Sequence, residues 1–256
     1  MYMRFVRMNA VADKVTTLIN FYDKAIVPVL QNTQGCRYAW LIQNTRRESE
    51  LISMTLWDKI TDAEEYEKSG RFKQLYDKVR PLLEDASEWK IQLTADFTLE
   101  YKPESDEPQV DSYSITYMQD EELPELKKFT PMYIRMLSAR VVPGRYDEVR
   151  EIYKREIGPG LQNIPGCKYA FLTQNLRQQD EVFSITIWEN KQAADNYERS
   201  GKFDEYVGKI KHLFSDLSQS KMELKEQSDK KIVTSDDPIL EQYRVVTGKD
   251  LNNKNG

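Results

Sequence analysis

Residues 1–8 alternate in hydropathy and are rich in β-forming side chains, which predicts a strand. Residues 13–31 then carry Val15, Leu18, Ile19, Tyr22, Ile26, Val29 and Leu30 at helical spacing, so an amphipathic helix with one buried face follows. Asn32 and Gly35 supply helix-stop chemistry, and the runs 36–43 and 50–57 flank a polar turn, which predicts a hairpin. A short helix ends at Ser69-Gly70, and Phe72, Leu75, Tyr76, Val79, Leu82 and Leu83 mark a longer one. Residues 89–101 read as the closing strand. The order βαββαβ is the ferredoxin-like split βαβ unit, an antiparallel four-stranded sheet with helices on one face.

The same pattern recurs. Shifted by 131 residues, positions 1–85 align without a gap on 132–216, and 31 of the 85 pairs are identical. The densest block pairs LQNTQGCRYAWLIQNTR (30–46) with LQNIPGCKYAFLTQNLR (161–177). Two copies at so long a period are a duplicated domain and not a solenoid. Residues 1–101 are expected to form the first repeat and 132–247 the second, with an acidic, proline-containing linker at 102–131 and a frayed tail at 248–256. Each sheet needs a cover on its second face. The other copy's sheet supplies it, so the expected fold class is α+β, two tandem ferredoxin-like repeats whose antiparallel sheets face each other as a pseudo-dimeric α+β barrel.

Strand alternation then sorts candidate residues by face. Ile52, Met54 and Leu56 are uniformly aliphatic and are expected to meet the helices, with Ser53, Thr55 and Trp57 turned to the barrel interior. In the second copy Phe183, Ile185 and Ile187 take the helix side and Ser184, Thr186 and Trp188 the interior. The polar positions are identical and the apolar ones merely similar, and a buried hydroxyl must find a partner. Tyr38 and Trp40, matched by Tyr169 and Phe171, are placed in the same interior. Arg4 and Arg135 lie on the first strands, where a buried guanidinium is costly unless it is paired or meets a ligand.

Composition narrows the chemistry. Two cysteines, Cys36 and Cys167, and the single His212 exclude a disulfide framework and a histidine-rich metal site, and argue against a His-based triad. The net charge is −5, and the linker, with eight acids against three bases, carries as much on its own. No basic cluster interrupts the mixed-sign surface, so neither nucleic acid nor an anionic membrane is an expected partner. No apolar run approaches the ~18 residues of a membrane helix, and the opening residues lack a signal-peptide core, so a cytoplasmic protein is expected.

These residues resemble a known family. Pro165-Gly166-Cys167 leads into a strand, Trp188 ends the next, and residues 188–203 follow the arrangement Trp-x8-aromatic-x2-Ser-x2-Phe. Copy one has Gln34 in place of the proline but keeps Gly35, Cys36, Trp57, Tyr66, Ser69 and Phe72. Over about 85 residues of each copy the chain is similar to two tandem antibiotic biosynthesis monooxygenase domains, members of the dimeric α+β barrel superfamily.

The resemblance implies a barrel cavity used for cofactor-independent oxygenation of quinols or anthrone-like molecules, for heme degradation, for isomerisation, or for no known chemistry. Where many relatives carry histidine nine residues after the strand-end tryptophan, this chain has Tyr66 and Tyr197. Where heme-degrading relatives place their iron ligand it has Tyr76 and Val207, which disfavours heme. The expectation is a cofactor-free monooxygenase with no metal, acting on a small aromatic molecule and dioxygen. Tyr66, Tyr197, Arg4 and Arg135 are its catalytic candidates. Tyr38, Trp40, Ser53, Thr55, Trp57, Tyr169, Phe171, Ser184, Thr186 and Trp188 are the candidate substrate contacts. Each also has a packing role open to it, and a non-catalytic small-molecule-binding or stress-related protein is the alternative reading. Further assembly of the pseudo-dimer is left open.

Overall fold

The computed structural model describes residues 1–84, 89–93, 99–103, 110–118, 132–215 and 239–251. Copy one begins with β1 (Tyr2–Asn9) and a helix in three parts: α1 (Val15–Phe21), a π-helical turn over Tyr22–Ile26, and α2 (Val27–Gln31). A hairpin of β2 (Cys36–Asn44) and β3 (Glu50–Trp57) follows, then α3 (Ile60–Lys68) and α4 (Arg71–Val79). Three strands come next: β4 (Trp89–Leu93), β5 (Leu99–Pro103) and β6 (Val110–Met118). Copy two repeats the plan with β7 (Tyr133–Arg140), α5 (Tyr146–Ile152), a π turn over Tyr153–Ile157, α6 (Gly158–Gln162), β8 (Cys167–Asn175), β9 (Glu181–Trp188), α7 (Lys191–Arg199), α8 (Lys202–Ile210) and β10 (Ile239–Asp250). The two π turns share a cause. Pro28 and Pro159 have no N–H to return to the carbonyls of Lys24 and Arg155, so the helix widens just before each proline.

Eight strands close into one antiparallel barrel in the order β1-β3-β2-β10-β7-β9-β8-β6. The α+β barrel expected from the duplication is therefore present, with each copy's sheet in the order fourth, first, third, second. Each fourth strand also bridges to the other copy: β6 pairs with β1 and β8, and β10 with β7 and β2. No helix among the described residues is long and apolar enough to cross a membrane.

Three expectations need correction. The fourth strand of copy one is β6, because it alone pairs both with its own first strand and with the opposite copy; β4 and β5 instead pair with each other outside the barrel. At the far end β10 continues through Asp250 and Leu251 is buried, so the ordered chain runs past 247. The third correction concerns faces. Ile52, Met54 and Leu56 fill the barrel interior with Phe183, Ile185 and Ile187, in a core that draws on both copies and on no helix. Trp57 and Trp188 belong instead to the two outer cores, each against its own copy's helices.

The reason lies in register. A bulge between Cys36 and Tyr38 sets Tyr38 opposite Leu56 and Trp40 opposite Met54. Opposed residues share a face, so the interior placement of Tyr38 and Trp40 carries the aliphatics inward and sends Ser53, Thr55 and Trp57 out to the helices. The same shift recurs in copy two, where Tyr169 opposes Ile187 and Phe171 opposes Ile185.

The glycine of the shared Gly-Cys motif fixes where the helices dock. Gly166 has φ +84°, and a Cβ there would lie 2.5 Å from the Cβ of Ala193 on α7. Its carbonyl accepts the N–H of Glu189 at 2.8 Å, which ties the start of β8 to the end of β9. Gly144 has a similar φ of +81° with nothing within 4 Å of the added carbon. Gly144→Ala is therefore expected to cost about 1 kcal/mol of backbone strain, and Gly166→Ala about 2–4 kcal/mol, strain plus clash. Urea unfolding of both variants checks this, and equal losses would show that the α7 contact is unimportant.

Candidate functional site

Two cavities lie outside the barrel, one per copy, each between the outer face of the sheet and the helices. The first is bounded by Arg4, Tyr22, Ser53, Thr55, Trp57, Tyr66, Phe72 and Val79; the second by Arg135, Tyr153, Ser184, Thr186, Tyr197, Phe203 and Tyr206. The side chains of the shared core lie inside the barrel, and both of these cavities lie outside it, not within it as the resemblance implies.

Register builds each floor. Arg4 on β1 stands opposite Thr55 on β3, and Arg135 on β7 opposite Thr186 on β9. The Trp57 indole N–H donates to Thr55 Oγ1 at 2.8 Å, and Trp188 donates to Thr186 Oγ1 at 2.8 Å. Thr55 in turn donates to the Arg4 carbonyl at 3.4 Å. Ser53 shares a hydrogen bond with the Tyr22 hydroxyl at 3.0 Å, and Ser184 with that of Tyr153 at 3.1 Å. Both tyrosines also donate across to β-strand carbonyls, Tyr22 to Trp40 at 3.2 Å and Tyr153 to Phe171 at 3.4 Å. The repeated Ser, Thr and Trp are therefore explained by buried hydrogen bonds that fasten helix to sheet.

The arginines are different. Arg4 and Arg135 are 4% and 2% exposed, yet among the described residues Nη2 of Arg4 and Nε, Nη1 and Nη2 of Arg135 have no hydrogen-bond acceptor. Each has one carboxylate nearby, Glu67 Oε2 3.3 Å from Arg4 Nη2 and Glu198 Oε2 3.3 Å from Arg135 Nη2, close enough for an ion pair but not in hydrogen-bonding geometry. Both glutamates are half-exposed, so water screens the pairing. Aromatic faces complete the surroundings: the Arg4 guanidinium lies 4.4 Å from the Phe72 ring, and that of Arg135 lies 5.1 Å from Tyr197 and 4.8 Å from Phe203. Burial pulls both guanidinium pKa values down from their ordinary value, against the opposing pull of the glutamates.

Tyr66 and Tyr197 lie against the strand-end tryptophans, with ring centroids 5.6 Å and 4.9 Å apart. Burial pushes the Tyr66 phenol up to about 12 despite Arg4, and pushes Tyr197 up as well despite Arg135. Both are neutral at physiological pH and act as donors, not bases. Burial likewise raises the Cys167 thiol to about 12 and the Cys36 thiol further, which leaves neither nucleophilic. Among the described residues no three His, Cys, Asp or Glu side chains are grouped to hold a metal ion.

The structure thus brings together Arg4, Ser53, Thr55, Trp57 and Tyr66 in copy one. In copy two it brings together Arg135, Ser184, Thr186 and Tyr197, with Trp188 stacked behind the tyrosine. Tyr38, Trp40, Tyr169 and Phe171 stand apart from both sites, inside the barrel. Sequence reasoning missed Tyr22, Tyr153, Glu67 and Glu198. Their signal was present, since each pair is identical between the copies.

Comparison with known proteins places this geometry. No curated protein matches the chain. Among solved structures, a proposed monooxygenase from Fusobacterium nucleatum superposes with a TM-score of 0.68 at 11% identity, covering 97% of this chain and 94% of that one. A proposed monooxygenase from Lactobacillus acidophilus gives a TM-score of 0.63 at 9% identity over 98% and 96%. An anthrone oxidase-like protein gives 0.57 at 13% over 99% and 94%. At these identities the likeness is one of fold. Residues 132–209 match the antibiotic biosynthesis monooxygenase family, and the first copy is the duplicate of that segment. Residues 132–209 therefore carry a domain of the antibiotic biosynthesis monooxygenase type, residues 1–85 are its internal duplicate, and the two copies close into a single α+β barrel.

Proposed function

We propose that this protein is a cofactor-independent monooxygenase for a small aromatic substrate with an acidic O–H or C–H, of the quinol or anthrone class, oxidised by dioxygen in the cavities beneath the helices. The observation that carries this reading is the Arg135 guanidinium, three N–H-bearing nitrogens buried without acceptors in an apolar cavity beside a neutral tyrosine. Such a group lowers stability unless a ligand oxygen meets it. An oxyanion formed from the substrate is the natural occupant, and donors fixed in a dry site stabilise it strongly.

The chemistry balances without a metal or flavin because the substrate supplies the electrons. For an anthrone, one ring CH₂ proton passes to a base, for which the nearest carboxylate to the guanidinium is Glu198 in copy two and Glu67 in copy one. Arginine holds the enolate oxygen, and the carbanion carbon transfers electrons to dioxygen and forms a C–O bond. Loss of the second C–H proton with O–O cleavage gives the quinone carbonyl, with the other oxygen atom released as water. Trp57 and Tyr66 bound the ring in copy one and Tyr197 in copy two, with Trp188 stacked behind it. The anthrone oxidase-like relative supports the substrate class, and the apolar lining supports a planar hydrocarbon.

Chelator-treated protein is expected to take up oxygen with 1,8-dihydroxyanthrone or 1,4-dihydroxynaphthalene well above the autoxidation blank. The combined Arg4→Met and Arg135→Met variant should lose about 10²–10³-fold in rate while gaining about 1–3 kcal/mol in unfolding free energy. Uptake no faster than the blank, or undiminished in the variant, overturns the reading. The donor role of tyrosine has its own check. With the Tyr66 phenol near 10 when unfolded and about 12 when folded, the folded state holds the extra proton between those values. Stability therefore falls as pH rises through that window, by about 1.4 kcal/mol per pH unit for one such group. Tyr66→Phe should flatten the decline in a series of denaturation curves.

A further inference from the structure

We infer that the two cavities of one chain select different ligands, the second taking a planar aromatic with two oxygen substituents and the first one with a single oxygen. The inference rests on the proposed aromatic-binding role of both cavities and concerns what distinguishes them. Their floors are alike: Arg, Ser, Thr and Tyr recur in each. Their walls are not.

Tyr206 on α8 lines the second cavity, is 8% exposed, and its hydroxyl has no hydrogen-bond partner among the described residues. It reaches its place only because residue 160 on α6 is glycine, where a Cβ would lie 2.2 Å from the tyrosine oxygen. The equivalents in copy one are Leu75 and Val29, an apolar residue facing the cavity and a side chain where the glycine is bare. Both members of the pair have changed together, as they must if the large side chain moves from one helix to the other. Tyr76 also lines the first cavity, but its ring stacks on Phe72 at 6.4 Å and it is engaged elsewhere.

The second cavity therefore sets the buried Arg135 guanidinium, whose nitrogens meet no acceptor among the described residues, in a row with two tyrosines. The Arg135 guanidinium lies 5.1 Å from the Tyr197 ring, which lies 6.4 Å from the Tyr206 ring. A ligand with one oxygen satisfies the arginine end and makes no hydrogen bond to the Tyr206 hydroxyl. One with a second oxygen further along the ring system satisfies both. In copy one that second oxygen meets Leu75 and is desolvated with no partner, so the ranking reverses.

The test is anaerobic titration calorimetry with 2-naphthol and 2,6-dihydroxynaphthalene, with Arg4→Met and Arg135→Met used singly to leave one cavity at a time. The second cavity should bind the diol about tenfold more tightly than the naphthol, and the first should not. Tyr206→Phe, and separately Gly160→Ala, which displaces the Tyr206 hydroxyl, should each abolish that preference and leave the first cavity unchanged. A preference that survives both variants, or the same ranking in both cavities, overturns this inference alone. Binding of neither probe in either cavity overturns it together with the proposed function.

Discussion

The fourth strand of each copy hydrogen-bonds on one side to its own first strand and on the other to the second strand of the opposite copy. That exchange removes every edge from the main sheet and encloses an interior that no helix enters. That interior is filled mainly by apolar and aromatic side chains, and its polar groups find partners, as the Tyr113 hydroxyl does in Asn175. Met, Ile, Leu, Phe, Tyr and Trp from both copies fill it, and each large apolar side chain so buried contributes about 1.5–3 kcal/mol. Since side chains alternate along a strand, Arg4, Ser53 and Thr55 in copy one and Arg135, Ser184 and Thr186 in copy two face outward, toward the helices.

Helices seal that outer face incompletely. Tyr22 and Tyr153 stand at the π turns and pin the helices to Ser53 and Ser184, while Gly35 and Gly166 let the α3 and α7 segments approach the strand starts. Between these fixed points each copy keeps a cavity whose polar demand comes from one arginine. The half-exposed glutamate beside it neutralises charge without satisfying the N–H groups. Such an arrangement is poor for stability and well suited to an anionic oxygen. Duplication inside one chain adds freedom that a symmetric dimer lacks. Gln242, opposite Arg135, donates to Glu198 at 3.4 Å and accepts from Tyr133 at 2.6 Å, whereas Ser112 stands opposite Arg4.

Much of this was legible in the sequence because duplication acts as an internal comparison. Barrel architecture and, apart from the fourth strand of copy one, element order followed from periodicity and from identity between copies, while Arg4 and Arg135 stood out as arginines on the first strands and Tyr66 and Tyr197 through the family resemblance. Facing was harder. Hydropathy marked Ile52, Met54 and Leu56 as buried, but a strand buried on both faces has two apolar sides, and alternation alone does not say which one meets the helices. The bulge at the start of β2, which fixes that choice, leaves no mark in composition. The identity of the fourth strand was also hidden, since residues 89–101 and 110–118 both alternate and only pairing across copies separates them. Glu67 and Glu198 read as ordinary surface acids until the fold set them beside buried arginines.

Under the proposed function the ligand binds outside the barrel, against the buried guanidinium. A crystal structure with 1,8-dihydroxyanthraquinone, an unreactive analogue of the oxidised product, tests it directly. The ring should lie between α7, α8 and the β7–β9 face, with one oxygen in hydrogen-bonding contact with Arg135. A ligand found inside the barrel, or bound elsewhere with Arg135 still facing only Glu198, would contradict the account.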